Sequence, residues 1–137
     1  MLRQQLRHKE KVMNRKRILI VEDDDSVLQI LITGVEMCCP DFEVEVASNG
    51  QVALARLQDL EAEHLVDLIL TDYNMPLMNG LELARAVRNR WPGVPIVMMT
   101  GTAGGSAFQR EVDALNLDGY ILKPFGMDQL EDLLHGY

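Results

Sequence analysis

The chain is built from short apolar runs that each end in a polar group, with helix-length segments between them. Ile18, Leu19, Ile20 and Val21 run into Glu22, Asp23 and Asp24. Leu68, Ile69, Leu70 and Thr71 run into Asp72, with Pro76 close behind. Ile96, Val97, Met98 and Met99 run into Thr100, and Tyr120, Ile121 and Leu122 run into Lys123 and Pro124. Runs of this length, rich in Ile, Leu and Val, suit strands buried on both faces. Such strands need helices on both sides, which argues for an α/β fold with a mostly parallel, doubly wound sheet. Right-handed crossovers then leave few topologies. In sheets of this kind, chemistry gathers beyond the carboxyl ends of the strands. Parallel and adjacent, these runs would bring acids, a hydroxyl and an ammonium to one edge. The acids can hold a divalent cation, and the ammonium and hydroxyl can hold an anion. That combination suits a phosphoryl group carried on a carboxylate.

Between the runs, apolar residues recur with helical period. The sets are Val27, Leu31, Val35 and Cys38, then Ala53, Leu57 and Leu60, then Leu81, Ala84 and Val87. Phe108, Val112 and Leu115 mark a fourth helix, and Leu130, Leu133 and Leu134 a last, short one. Ser26 is the expected cap of the first helix, with Asp24 and Asp25 suited to its positive end, and Pro40 stops it. Phe42, Val44 and Val46 alternate with Glu43 and Glu45, which predicts a half-exposed strand. The third strand is expected from Val66 to Leu70. Asn49-Gly50 reads as a turn, Asn79-Gly80 precedes the third helix and Trp91-Pro92 ends it. Gly101, Gly104 and Gly105 should loosen the approach to the fourth helix.

Length and composition fit one domain: 137 residues, 47% of them hydrophobic. Residues 1–16 read as a basic tail or linker and 17–137 as the domain. Arg3, Arg7, Lys9, Lys11, Arg15, Lys16 and Arg17 face only Glu10 in the first seventeen residues. The body is therefore more acidic than the net −8 of the whole. That argues against nucleic-acid binding by the domain. No run nears the roughly 20 apolar residues of a membrane span, and the N-terminus lacks the apolar h-region of a signal peptide, so the expected location is cytoplasmic. The adjacent Cys38 and Cys39 form neither a disulfide framework nor a zinc pattern and read as small residues at a helix end. Met75, Met78, Met98 and Met99 read as core or loop filler, and His8, His64 and His135 as surface residues.

The motifs, taken in order, resemble a response-regulator receiver domain of bacterial two-component signalling. They are Arg17 through Asp24, Asp67 through Pro76, Asn79-Gly80, Pro95 through Gly101, and Gly119 through Phe125. The resemblance implies a flavodoxin-like (βα)5 sandwich with strand order 2-1-3-4-5. It implies that Asp72 accepts a phosphoryl group from a sensor histidine kinase or a histidine phosphotransfer protein. Mg²⁺ would be held by Glu22, Asp23, Asp72 and the backbone carbonyl of Asn74, with Glu22 acting through a water and Asp24 left to the helix start. Lys123 and Thr100 would contact the phosphoryl oxygens, with a cis Lys123–Pro124 bond. Thr100 and Tyr120 would form the switch pair, and the face of helix four, strand five and helix five would report the change and offer a surface for a homodimer. Asn74 and Thr102 would flank the hydrolytic water. Both are small and polar, so a short-lived phosphoryl group is expected.

Three other readings fit less well. A haloacid-dehalogenase-type phosphatase would carry its nucleophile on the first core strand with a second Asp two positions on, and position 74 is Asn. A non-phosphorylated docking module of the same fold would be expected to lack an acid or the lysine. A flavin-binding protein needs a phosphate-cradling loop after the first strand, and none follows it.

Overall fold

The computed structural model describes residues 15–101 and 105–137. Its strands are β1 (Lys16–Val21), β2 (Phe42–Ala47), β3 (Leu68–Asp72), β4 (Ile96–Thr100) and β5 (Gly119–Leu122). The helices are α1 (Asp25–Cys38), α2 (Gly50–Leu60), α3 (Gly80–Arg90), α4 (Ser106–Ala114) and α5 (Met127–Leu134). Strand and helix alternate throughout. The sheet order is β2-β1-β3-β4-β5 with every pairing parallel, as the apolar runs and the resemblance implied. Among the described residues, no helix is long and apolar enough to cross a membrane.

Alternation of side chains along the strands splits the core into two layers. Leu19, Val21 and Ile69 join Ala53, Leu57, Leu83, Ala84 and Val87 from α2 and α3. Ile18, Ile20, Leu68 and Leu70 join Leu28, Leu31 and Val35 from α1, and Leu130 and Leu134 from α5. Burying each such side chain stabilises the fold by roughly 1.5–3 kcal/mol. The two layers fix the strand register, because a one-residue slip would exchange the faces. Helix α4 contributes least: only Val112 is buried on it, and Gly105 offers no side-chain cap.

Helix starts follow side-chain chemistry, and two of them correct the sequence reading. The N-cap of α1 is Asp24, not Ser26; Ser26 lies inside the first turn and its N–H donates to Asp24 Oδ1 at 2.9 Å. Asp accepts from two backbone N–H groups here and faces the positive helix end, which a serine hydroxyl does less well. Asn49 caps α2 by accepting from Val52 N at 2.9 Å, so Asn49-Gly50 is a helix start and no simple turn. Asn79 and Glu82 form a reciprocal capping box on α3. The third strand starts and ends two residues later than expected. Pairing with β1 begins at Leu68. Just before it, the Asp67 carboxylate accepts the Arg17 N–H at 2.8 Å, taking the place of a ladder bond.

Gly80 is where the fold tolerates no side chain. A Cβ there would meet Met98 Sδ and would lie 2.6 Å from the Asp72 carbonyl oxygen and 3.0 Å from Tyr73 Cα. Two of those neighbours are backbone, so relief would require moving the end of β3. Gly80→Ala should lower stability by about 1–3 kcal/mol, read as a lower urea midpoint with unchanged slope. Gly101→Ala, with open space around it, should leave the midpoint nearly unchanged.

Candidate functional site

Four strand ends build the site. Glu22 follows β1, and its N–H donates to Ala47 O at 3.1 Å, so the backbone stays in the sheet and the carboxylate is buried. Asp23 is exposed, and Asp24 has turned away to cap α1. Asp72 is the last residue of β3, the neighbour of β1, and only 7% of it is exposed. One oxygen each from Glu22, Asp23 and Asp72 lies within 4.8 Å of the others. This is the topological switch point, where the chain leaves β1 toward β2 on one side and returns to β3 on the other.

Lys123 comes from the far side. It follows β5, its N–H donates to Thr100 O at 2.7 Å, and its bond to Pro124 is cis. β4 lies between β5 and β3. A side chain must therefore cross two strand spacings, roughly 10 Å, to reach Asp72. The lysine side chain, the Asp72 side chain and the hydrogen bond between them together bridge that gap. Its Nζ sits 3.0 Å from Asp72 Oδ1 and 3.3 Å from Glu22 Oε2. Thr100, buried at the end of β4, lies beneath that crossing. Asn74 is exposed in the loop after β3. Thr102 falls outside the described residues, as do His8 and Gly104.

Three carboxylates against one ammonium leave the cluster with excess negative charge. Burial and the neighbouring Asp72 charge push the Glu22 carboxyl up to about 7, although Lys123 pulls the other way. For Lys123, burial favours the neutral amine, but hydrogen bonding and charge from Asp72, with Glu22 behind, outweigh it and raise the ammonium above its usual value. The donors are all carboxylate oxygens, and exposed Asp23 leaves the cluster open on one side. That set fits a hard cation such as Mg²⁺, which takes oxygen ligands and keeps waters. It does not fit zinc held by sulfur or imidazole.

The residue that sequence spacing did not single out as functional is Phe108. It sits on α4, edge-on to Tyr73 at 5.6 Å between ring centroids and edge-on to Tyr120 at 5.3 Å. Tyr73 directly follows Asp72, so the three rings join the end of β3 to β5 across α4. Phe108 was legible only as an apolar helix position, and no local pattern pairs it with two tyrosines. His64, read as a surface residue, is exposed and pairs with Asp67 at 3.0 Å; His135 is also exposed. A groove of about 400 Å³ opens beside Lys123, lined by Val27, Ile30, Leu31, Met99, Pro124 and Phe125.

Glu22 gives the metal-free protein a pH signature. Its pKa is higher folded than unfolded, so its favourable contribution is complete below the unfolded value of 4.5 and is lost as pH rises through about 7. Unfolding free energy without divalent metal should fall between about pH 5 and 8, on the order of 1–3 kcal/mol from this group. Glu22→Gln should flatten that fall in chemical denaturation at several pH values. An unchanged slope in the variant would assign the effect elsewhere.

Comparison with known proteins agrees with this geometry. The family model for the response regulator receiver domain matches residues 18–135. Chemotaxis protein CheY1 of Helicobacter pylori is 36% identical over 118 residues, covering 85% of this chain and 92% of that protein. The regulatory protein AtoC of Escherichia coli is 34% identical over 116 residues, 83% of this chain but 23% of its own length. This chain likewise spans under half of the Mycobacterium response regulator MprA, 46% of that protein. The crystallised chemotaxis protein CheY4 of Vibrio cholerae superposes with a TM-score of 0.78 at 31% identity, covering 89% of this chain and 98% of its own. Five parallel strands in the order 2-1-3-4-5, an acidic cleft at the switch point and a family match over nearly the whole domain make this chain a member of the response regulator receiver domain family.

Proposed function

We propose that this domain, residues 17–137 behind a basic tail, is a phosphoacceptor switched by phosphorylation of Asp72. The observation that carries the reading is the Asp72 carboxylate, held 3.0 Å from Lys123 Nζ within the Glu22–Asp23–Asp72 cluster. The donor would be a phosphohistidine on a sensor histidine kinase or a histidine phosphotransfer protein. An Asp72 oxygen attacks phosphorus, the phosphorus–nitrogen bond breaks, and an acyl phosphate remains on the carboxylate. Such transfer depends on positioning and charge neutralisation more than on covalent help from the protein. Lys123 moves its hydrogen bond from the carboxylate to a phosphoryl oxygen, and the Thr100 hydroxyl donates to another. Mg²⁺ held by Glu22, Asp23, Asp72 and the carbonyl of Asn74 would supply the positive charge that lets the donor phosphate approach three acids. The groove beside Lys123 gives a donor protein apolar surface next to the cleft. The chain is a phosphoacceptor that assists its own chemistry and not an enzyme acting on a separate substrate. Its acidic body suits a cytoplasmic protein partner better than nucleic acid.

The readout would be the face of α4, β5 and α5. β5 is an edge strand, and Tyr120 and Leu122 are 36% and 44% exposed on it. α4 is weakly buried. An element that is bistable and poorly anchored responds to a small bias at the site. Tyr120 and Thr100 would change together, with Phe108 carrying the shift between Tyr73 and Tyr120. The same exposed edge is where a second copy could dock after switching.

Acetyl phosphate with Mg²⁺ should add one phosphoryl mass to the wild type, and Asp72→Asn should add none. Labelling of Asp72→Asn at the wild-type level would overturn the assignment. Asp23→Asn should blunt the rise in melting temperature that millimolar Mg²⁺ gives the wild type by binding the folded state. An equal rise in both proteins removes Asp23 from the ligand set. Phe108→Ala should keep phosphorylation while weakening the Tyr120 response, read as NMR shift changes on phosphorylation. A full Tyr120 response without Phe108 would show that the three rings are packing alone.

A further inference from the structure

The other chemically distinctive cluster lies at the opposite end of α1. Cys38 closes that helix and Cys39 caps it, with the sulfurs 3.2 Å apart and the Cys38 thiol donating to Cys39 Sγ. They are the chain's two cysteines, and neither is in a disulfide. Cys38 is half-buried, and 8% of Cys39 is exposed. The backbone around the pair is held: Cys39 N–H donates to Val35 O at 2.8 Å, and Phe42 N–H donates to Cys39 O at 3.0 Å. The two sulfurs are thus presented together without further ordering, which lowers the cost of binding one ligand through both.

The geometry excludes two common fates for such a pair. A disulfide normally joins Cα atoms about 4.4–6.8 Å apart, but neighbours across a trans peptide are only about 3.8 Å apart. A ring closed here would be strained and readily reduced. Structural zinc takes four donors. Among the described residues the one close group of three acid, histidine or cysteine ligands is Glu22, Asp23 and Asp72, so the thiols lack the further donors zinc needs. A ligand that needs two sulfurs and nothing else remains.

We propose that Cys38 and Cys39 form a bidentate dithiol site for monosubstituted trivalent arsenicals. Arsenic is thiophilic in the way soft thiolate-seeking metals are. In the hydrated reagent, arsenic carries one carbon group and two hydroxyls. Each sulfur forms a bond to arsenic, each arsenic–oxygen bond breaks, and each thiol proton leaves with a hydroxide as water. Arsenic stays trivalent, so no oxidant is required. Burial, the hydrogen bond from Cys38 and the nearby acids Glu131 and Asp41 push the Cys39 thiol up to about 12. The pair is therefore a poor target for reagents that need a free thiolate. Chelation differs, because the second bond forms intramolecularly at high effective concentration.

The test uses the full chain and phenylarsine oxide, followed by intact mass measurement. One arsenical per chain should be retained through a wash with excess glutathione and released by dithiothreitol. Cys38→Ser should lose its adduct in the glutathione wash. Cys39→Ser should do the same, with circular dichroism reporting whether this core position still folds; the half-buried Cys38 keeps the test decisive if it does not. Zn²⁺ alone should not remain bound through gel filtration. Asp72→Asn should take up arsenical like the wild type, because its carboxylate lies with Glu22 and Asp23 near the start of α1 and the cysteines lie at its end. Loss of the wild-type adduct to glutathione, retention in Cys38→Ser, absence of labelling in folded wild type or two arsenicals per chain would each overturn the proposal.

Discussion

Like charges held together at the end of β1 and β3 are the constraint on which the rest depends. Glu22, Asp23 and Asp72 each place an oxygen within 4.8 Å of the others, and one ammonium, Lys123, opposes them. In water such a cluster would separate. Here it cannot, because Glu22 is tied to β2 by its backbone and Asp72 is the final residue of a fully buried strand. The cost appears in the Glu22 carboxyl, which holds its proton up to about 7. The apolar layers on either side of the sheet supply the stabilisation that keeps this arrangement folded. A cation among these oxygens would relieve the repulsion.

Lys123 links that tension to the rest of the domain. Its reach across β4 ties β5 to β3, while its backbone is fixed to Thr100. Strand β5 lies at an edge of the sheet and carries Tyr120. Phe108 makes a second link between the end of β3 and β5, since its ring packs edge-on to both Tyr73 and Tyr120. Both links end where packing is thinnest, on α4 and the exposed edge of β5. The helices α1, α2, α3 and α5 bury more of their apolar residues against the sheet that holds the acids, whereas α4 buries only Val112.

Much of this was legible in the chain. Four apolar runs of strand length, one alternating strand and helical spacing between them left little besides a parallel sheet covered on both faces. The polar residues closing those runs, Glu22, Asp23, Asp72, Thr100 and Lys123, mark the cleft in the chain itself. Caps were less secure: Asp24 and Ser26 both suit a helix start. The choice between them rests on which carboxylate or hydroxyl the turn aims at the free N–H groups. The shift of β3 has a similar cause, because the Asp67 side chain imitates a ladder partner and postpones the strand.

What the sequence determined by itself is the type and order of elements and the residues that end them, because periodicity and polarity are local properties. Only the tertiary structure decided which residues meet. Lys123 reaches Asp72 because only β4 lies between their strands, a span that the two side chains bridge together. Phe108 stands between Tyr73 and Tyr120 because α4 packs over that edge of the sheet. Each of these contacts depends on distances set by strand order and helix packing, and no local pattern in the chain encodes them.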